Sequence, residues 1–376
     1  MRIALVHSYY SSRVPSGENN VVDAQAAALR AAGHTVLVVG QSTDERLRRR
    51  TYPVEAALTV ATGLGPTPTE QLDGFAPDVV HVHNLFPNFG RRWLRSYDGP
   101  LVATLHNYRP ICPAATLFRD GAVCRACPES HSTRPAVRHG CFHGSALATV
   151  APALGTRFAA DPVLRRADVL TTLSEGMSAE YAAAGVPAAK LRVLGNFVAD
   201  TVGRATPAPA ERSWLYAGRI EREKGLHQLI ERWPAGEKLV VAGQPDPADP
   251  LPAHPDVELL GRVDQAVLLE RMAAATGLVF PSLWLEGLAL VCLEALSVGL
   301  PVVAFDDVPA GRSVGELGIG VTGSRADLEG LLRRAAATFP GLRQHCRDVY
   351  QAEFTADAWV ARAELAYADA QRVASR

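Results

Sequence analysis

The chain has 376 residues, a formal net charge of −1 and 48% hydrophobic residues. That length exceeds what one hydrophobic core usually organises, so two domains are expected. Near-neutral charge lacks the basic footprint of a nucleic-acid binder, and no run of about 18 uncharged apolar residues predicts a membrane-spanning helix.

The first residues, MRIALVHSYYSSRVP, hold too short an apolar stretch for a signal peptide and no small-residue cleavage site, so a cytoplasmic location is expected. IALVH (3–7) reads as a buried strand, followed by a loop through SSRVPSGENN and the helix VVDAQAAALRAAG. Gly33 stops that helix, and TVLVVG (35–40) returns as a strand. DVVHVH (78–83), LVATLH (101–106), VLTTLS (169–174) and LRVLG (191–195) continue the series. Apolar runs separated by helical segments rather than hairpin turns predict a parallel α/β sheet covered on both faces.

FVADTVGRATPAPAER reads as a Pro/Ala-rich linker, placed at 198–212. The same grammar then restarts in SWLYAG, KLVVAG, VELLG, GLVF and PVVAF, with helices between them. The expected organisation is an α/β fold of two Rossmann-like domains, 1–197 and 213–355, facing a central cleft. A closing amphipathic helix, 356–376, is expected to pack back on the first domain. Residues 1–197 carry 20 Lys and Arg against 15 Asp and Glu, so the first half is mildly positive.

Within EGLALVCLEALSVGLPVV (286–303), Glu286 falls in the loop after the strand that ends at FPS, and Glu294 inside the following helix. Gly287, Leu288, Ala289 and Leu290 mark the helix start, where free N–H groups favour an anion. A phosphate there, with a carboxylate on either side for hydroxyl groups, suits a sugar nucleotide. The same acids also read as an ordinary loop residue and a polar helix residue. WLYAGRIEREKGL (214–226) weighs against that reading. Here Gly218 ends a strand, and Arg219 and Lys224 supply two cations for a diphosphate. Arg222, set between two acids, reads as a solvated surface residue.

AGRIEREKGL followed by FPSLWLEGLALVCLEALSVGLPVV resembles the C-terminal domain of retaining glycosyltransferases of family 4, which have the GT-B fold. DVVHVHNLFPN, VATLHNYRPICPAATLFRDGAVCRAC and LSEGMSAEYAAAGVPAAKLRVLGN resemble that family's N-terminal domain. The resemblance spans essentially the whole chain. It implies that Arg219 and Lys224 bind and stabilise the leaving diphosphate in place of a metal ion, with no cofactor needed beyond the nucleotide-diphosphate sugar. It also implies that Glu286 holds donor-sugar hydroxyls, Glu294 the ribose, and the backbone near Arg262 and Val263 the base. His106 would reach the sugar from the other domain, or else cap its strand. His81 and His83, alternate on one strand, read as structural. Gly17 stands where the family's glycine-rich turn lies, with one glycine where relatives often have two. Glu18, Asn19 and Asn20 either bind acceptor hydroxyls or cap the helix.

No carboxylate is in an obvious position for double displacement, so same-face transfer is expected, with the leaving phosphate taking the acceptor's proton. The acceptor would be a saccharide, a lipid-linked saccharide or a natural-product aglycone. A GT-B epimerase or phosphorylase, or a silent sugar-nucleotide-binding protein, are the alternatives.

Two segments ask separate questions. Cys112, Cys124, Cys127 and Cys141 fall within 30 residues around a C-x2-C, which fits a structural zinc; their irregular outer spacings fit reduced buried thiols. RLRRRTYPVEAALTVATGL (46–64) joins a basic cluster to an apolar stretch. It reads as a peripheral contact with anionic lipid, or as a solvated arginine face whose apolar part packs beside the first sheet.

Overall fold

The computed structural model describes residues 1–12 and 17–376, so part of the loop expected before the first helix, residues 13–16, lies outside the described residues. The chain forms two compact units. The first comprises Met1–Arg119, Cys124–Gly195 and Trp359–Arg376; the second comprises Asp120–Val123 and Asn196–Ala358.

Each unit is built on a six-stranded parallel sheet. In the first unit the spatial order is Thr35–Ser42, Arg2–Tyr9, Val79–Asn84, Leu101–Leu105, Val169–Thr172, Leu191–Val193. In the second it is Val257–Gly261, Leu239–Ala242, Trp214–Ala217, Gly277–Phe280, Val302–Phe305, Gly320–Gly323. The sequence explains the layering. WLYA, LVVA, GLVF and VVAF are buried along their whole length, as central strands with helices on both faces must be. The edge strands Val257–Gly261 and Gly320–Gly323 are only partly covered.

The order of strands decides where ligands can sit. In the second unit the chain winds outward from Trp214–Ala217 in both directions, so its neighbour on the other side is Gly277–Phe280. Loops leaving the carboxyl ends of such a pair diverge and open a crevice. The corresponding pair in the first unit is Arg2–Tyr9 and Val79–Asn84.

The last helix, Ala356–Ala374, packs on the first unit through fully buried Trp359 and Tyr367. Burying two such aromatics contributes about 1.5–3 kcal/mol each. Residues 197–213 carry no regular element, yet they are fastened to the second unit. The Arg343 guanidinium donates to Thr206 O and Oγ1 at 2.6 and 2.8 Å, Tyr350 OH donates to Val198 O, and Arg347 pairs with Asp200.

The segment 52–64 departs from the reading that packs its apolar residues beside the sheet. It forms the helix Tyr52–Thr62, which turns Tyr52 and Thr59 inward and leaves Val54 and Leu58 exposed. Residues 52 and 59 are seven apart and share a face, whereas 54 and 58 lie on the opposite one. Among the described residues no helix is long and apolar enough to cross a membrane.

Candidate active site

In the second unit, the loops after Trp214–Ala217 and Gly277–Phe280 press directly on each other. Gly225 has φ 74°, and a Cβ there would stand 2.1 Å from Pro281 O. Leu283 N donates to Glu223 O at 2.8 Å. Only a glycine permits this approach, and it delivers Lys224 to Glu286. The lysine Nζ lies 2.9 and 2.8 Å from the two carboxylate oxygens. Ser282 Oγ donates to Glu286 Oε1 at 2.5 Å, and the Trp284 ring lies 5.3 Å from the ammonium. Both charged side chains are largely shielded from water, at 16% and 13% exposure.

Arg219 stands differently. Its side chain is 52% exposed and donates to Glu221 at 2.6 Å. Its carbonyl accepts the Tyr216 hydroxyl at 2.7 Å, which fixes the backbone of the loop while the guanidinium stays reachable. Gly218 at the strand end is exposed, and Gly243, at the end of the next strand, has no room for a Cβ beside Gly218 O.

Gly287, Leu288 and Ala289 lead into the helix Leu290–Ser297, which begins at the last of the four residues expected to mark its start. Ala289 offers no side-chain cap; Cys292 N donates to Ala289 O at 2.9 Å, which leaves the N–H groups of Leu290 and Val291 to face a ligand. Glu294 lies in the second turn, where Gln265 Nε2 donates to it at 3.2 Å. Burial raises its carboxyl above the ordinary range, opposed by Gln265. Arg262 is exposed and Val263 partly buried, just past the Val257–Gly261 strand.

The site also uses residues the sequence reading did not single out. Ser282 and Trp284 orient the ion pair. Arg325 donates to Pro281 O at 2.8 Å and to Ser282 O at 2.5 Å, and pairs with Asp307 at 2.7 Å. It holds the loop that carries Glu286. Ser282 and Trp284 lie inside the motif stretch, but Arg325 arrives from a distant segment with no local signal.

The first unit carries a second cluster. His7, His81, His83 and His106 come from adjacent strands and gather at one place. The Tyr367 hydroxyl lies 3.0 Å from His81 Nδ1, and His81 Nε2 lies 2.7 Å from Thr104 Oγ1. His83 Nδ1 and His106 Nε2 are 3.0 Å apart with their rings stacked. Burial pushes His7 down to about 4, His81 and His106 to about 3, and His83 well below the usual value. All four are therefore neutral near pH 7, and one ring of the His83–His106 pair donates while the other accepts. Nε2 of His83 has no hydrogen-bond partner among the described residues.

His106 lines a cavity of about 90 Å³ together with His83, Asn84, Phe86, Arg109 and Asp161. The Arg109 guanidinium sits 3.7 Å from the Phe86 ring centroid, and burial lowers its pKa. Glu18 lies near Arg109, and burial pushes its carboxyl up to about 8 against that positive charge. Gly17 begins the first helix. Asn19 is spent on internal bonds: Oδ1 accepts from Tyr10 N at 3.2 Å and meets His7 Nε2 at 3.0 Å, while Nδ2 donates to Tyr10 O. Asn20 is exposed on the same helix.

Two family profiles match this architecture. The one described as Glycosyltransferase Family 4 covers residues 15–201, and the one described as Glycosyl transferases group 1 covers residues 211–337. The chain belongs to glycosyltransferase family 4. Its relatives include a glycogen synthase of Mycobacterium tuberculosis, 26% identical over 88% of this chain and 84% of that one. A phosphatidyl-myo-inositol mannosyltransferase of Mycolicibacterium smegmatis is 26% identical over 81% and 76%. Among solved structures, a sucrose-phosphate synthase from Thermosynechococcus elongatus superposes with a TM-score of 0.66 at 17% identity, covering both chains fully. Anabaena HepE in complex with UDP-glucose gives 0.61 at 16% identity, covering 97% and 99%. These likenesses establish the GT-B fold for this family 4 chain.

The four clustered cysteines surround one small cavity of about 20 Å³, with Leu117, Phe118 and Ala136. All are free thiols. The zinc expectation is not met in the structure: no three His, Cys, Asp or Glu side chains among the described residues are arranged to hold a metal ion. Convergence on a cavity is not by itself tetrahedral ligation, which needs sulfurs about 2.3 Å from one point.

Proposed function

We propose that this family 4 chain is a retaining glycosyltransferase that moves a sugar from a nucleotide-diphosphate sugar to a hydroxyl of a saccharide, lipid-linked saccharide or natural-product acceptor. The observation that carries the reading is the Lys224–Glu286–Ser282 cluster at the diverging strand pair of the second unit. A buried carboxylate held by a lysine and a hydroxyl is a rigid acceptor for sugar hydroxyls. The lysine and Arg219 supply positive charge for the diphosphate beside it. HepE, solved with UDP-glucose, supports a donor of this class.

In this reading the diphosphate lies against Arg219, Lys224 and the start of the Leu290–Ser297 helix. Glu286 takes donor-sugar hydroxyls, and Glu294 the ribose. The backbone of Gly218, Arg262 and Val263 lines the nucleotide. The acceptor occupies the cavity of the first unit, where neutral His106 offers it a hydrogen bond rather than a charge. Gly17 and Glu18 belong to the acceptor side, within the first unit. The C1–O bond to the diphosphate breaks, and the acceptor oxygen forms its bond to C1 on the same face. The acceptor's proton passes to the leaving phosphate oxygen. The two cations stabilise that oxygen as charge grows on it, with no metal ion required. Glu286, occupied by Lys224 and Ser282, serves as a positioning group rather than a nucleophile.

Thermal-shift screening against a panel of UDP-, GDP- and ADP-sugars tests the donor assignment, with stabilisation expected from one base class. NMR of the product's anomeric centre then tests retention. No stabilisation by any nucleotide sugar, or an inverted product, would overturn the reading.

A further inference from the structure

The first unit shows an inverted surface. The helices Tyr52–Thr62 and Ala146–Gly155 pack side by side, and Arg91 fastens them by donating to Val60 O at 3.2 Å and Gly155 O at 2.8 Å. A surface helix normally turns its apolar stripe to the core. Here Val54, Leu58 and Leu64 on and just beyond one helix, and Leu147, Val150 and Leu154 on the other, are all exposed, Leu147 to 84%. Positions 147, 150 and 154 are spaced to form one stripe along a helix. Ala146–Gly155 contains no charged residue, and Tyr52–Thr62 contains only Glu55.

The chain around this stripe is basic. Residues 46–64 hold four arginines and one acid, and residues 131–157 hold three arginines and no acid, in a protein of net charge −1. Arg48, Arg49 and Arg50 immediately precede the first helix and are exposed, as is Arg157 just after the second. Exposed apolar stripes between arginines match the two components of an anionic bilayer surface, acyl chains and headgroup phosphates. A second copy of the chain is a poorer partner, because a symmetric contact would bring the same basic flanks together.

We infer that the paired helices Tyr52–Thr62 and Ala146–Gly155 form a docking surface for anionic lipid membranes, with Leu58, Leu147 and Leu154 entering the apolar layer and Arg48–Arg50 meeting lipid phosphates. The inner sides of the same helices wall the cavity of this unit through Thr59, Val60, Pro152 and Gly155. Of the acceptor classes named above, a lipid-linked saccharide is the one such a surface would present. That corollary rests on the proposed function; the docking itself does not.

Flotation of the full chain with vesicles of phosphatidylglycerol and phosphatidylcholine tests it, against phosphatidylcholine vesicles alone. The protein should float with the anionic vesicles and lose binding in high salt. L58E/L154E should lower the bound fraction at least tenfold, and R48Q/R49Q/R50Q by about fivefold per arginine. L365E, which alters an equally exposed leucine on the last helix, should leave flotation unchanged. All of these positions are exposed, so circular dichroism should match the unaltered protein. Nucleotide-sugar stabilisation of L58E/L154E should also be retained, which separates this surface from the donor assignment. Absence of flotation with anionic vesicles at low salt overturns the inference. So does flotation that neither variant reduces. A solution dimer that L58E/L154E disrupts, without vesicle binding, would assign the face to a second copy instead.

Discussion

Lys224 and Glu286, 62 positions apart in the chain, form a bidentate ion pair at 2.8–2.9 Å, with Ser282 completing the carboxylate's contacts. The pair is mostly withdrawn from water, so neither group is held there by solvation. The low exposure makes each partner costly to remove alone, because it leaves the other charge shielded and uncompensated.

Glu286→Gln keeps the shape but weakens the grip on Lys224 and on sugar hydroxyls. Turnover should fall by about 10²–10³, the loss typical of a stabilising contact of the reacting centre. Affinity for the free nucleoside diphosphate should change less than threefold. Calorimetry of diphosphate binding beside steady-state kinetics measures the split; equal losses in both would remove Glu286 from the sugar site.

Arg219→Ala should also cut turnover by about 10²–10³, with diphosphate affinity falling alongside. Its guanidinium is about half-exposed and, among the described residues, bonded to neighbouring Glu221, so stability should change by less than about 0.5 kcal/mol. Near-normal turnover in a folded variant would contradict its role.

Arg91→Ala should destabilise the first unit by about 3–5 kcal/mol. It strands Asp161, which is 2% exposed and paired to Arg91 at 2.7 Å, and removes the donors that hold Val60 O and Gly155 O. Urea unfolding monitored by fluorescence measures the loss. Double substitution with Asp161→Asn should recover part of it.

The histidine cluster sets an acid limit. His7, His81 and His106 have folded pKa values below the usual 6.5, at about 4, 3 and 3. The unfolded chain therefore binds protons that the folded chain excludes. The resulting stability is present above pH 6.5 and is lost as pH falls from there toward about 4 for His7 and about 3 for His81 and His106, by about 1.4 kcal/mol per pH unit for each histidine. Unfolding midpoints between pH 7 and 5 should drop steeply, and more shallowly in H81Q. Midpoints independent of pH over that range would contradict the neutral cluster.

All six cysteines are free thiols. Titration in denaturant without reductant should count six per chain; four or two would reveal disulfides.

Much of this was legible in the chain itself. Uninterrupted runs such as WLYA and GLVF announce buried parallel strands, because a strand covered on both faces cannot alternate polarity. Gly218, Arg219, Lys224 and Glu286 stand out because charge and glycine cluster where strands end, and Glu294 because it is a carboxylate in a largely apolar helix. Other features had no local signature. Ser282 looks like any loop serine until Glu286 is placed beside it, and Arg325 until Pro281 O and Ser282 O are. Asn19 reads as a ligand residue until His7 and Tyr10 claim both ends of its amide. The cysteine spacing suggests a metal site that the thiol positions do not form.

The sequence by itself determined the central strands, the two-sheet α/β plan and most candidate residues, because hydrophobic period and helix-stopping residues act over a few neighbours. Tertiary structure alone decided which groups meet. Strand order sets Trp214–Ala217 beside Gly277–Phe280 and so joins Lys224 to Glu286. It stacks three strands that gather four histidines, and it lets the last helix bring Tyr367 to His81 across 286 positions. It also decided that Leu58, Leu147 and Leu154 face outward. A periodic apolar pattern is the same whichever side is buried, and only the neighbouring layer breaks that symmetry.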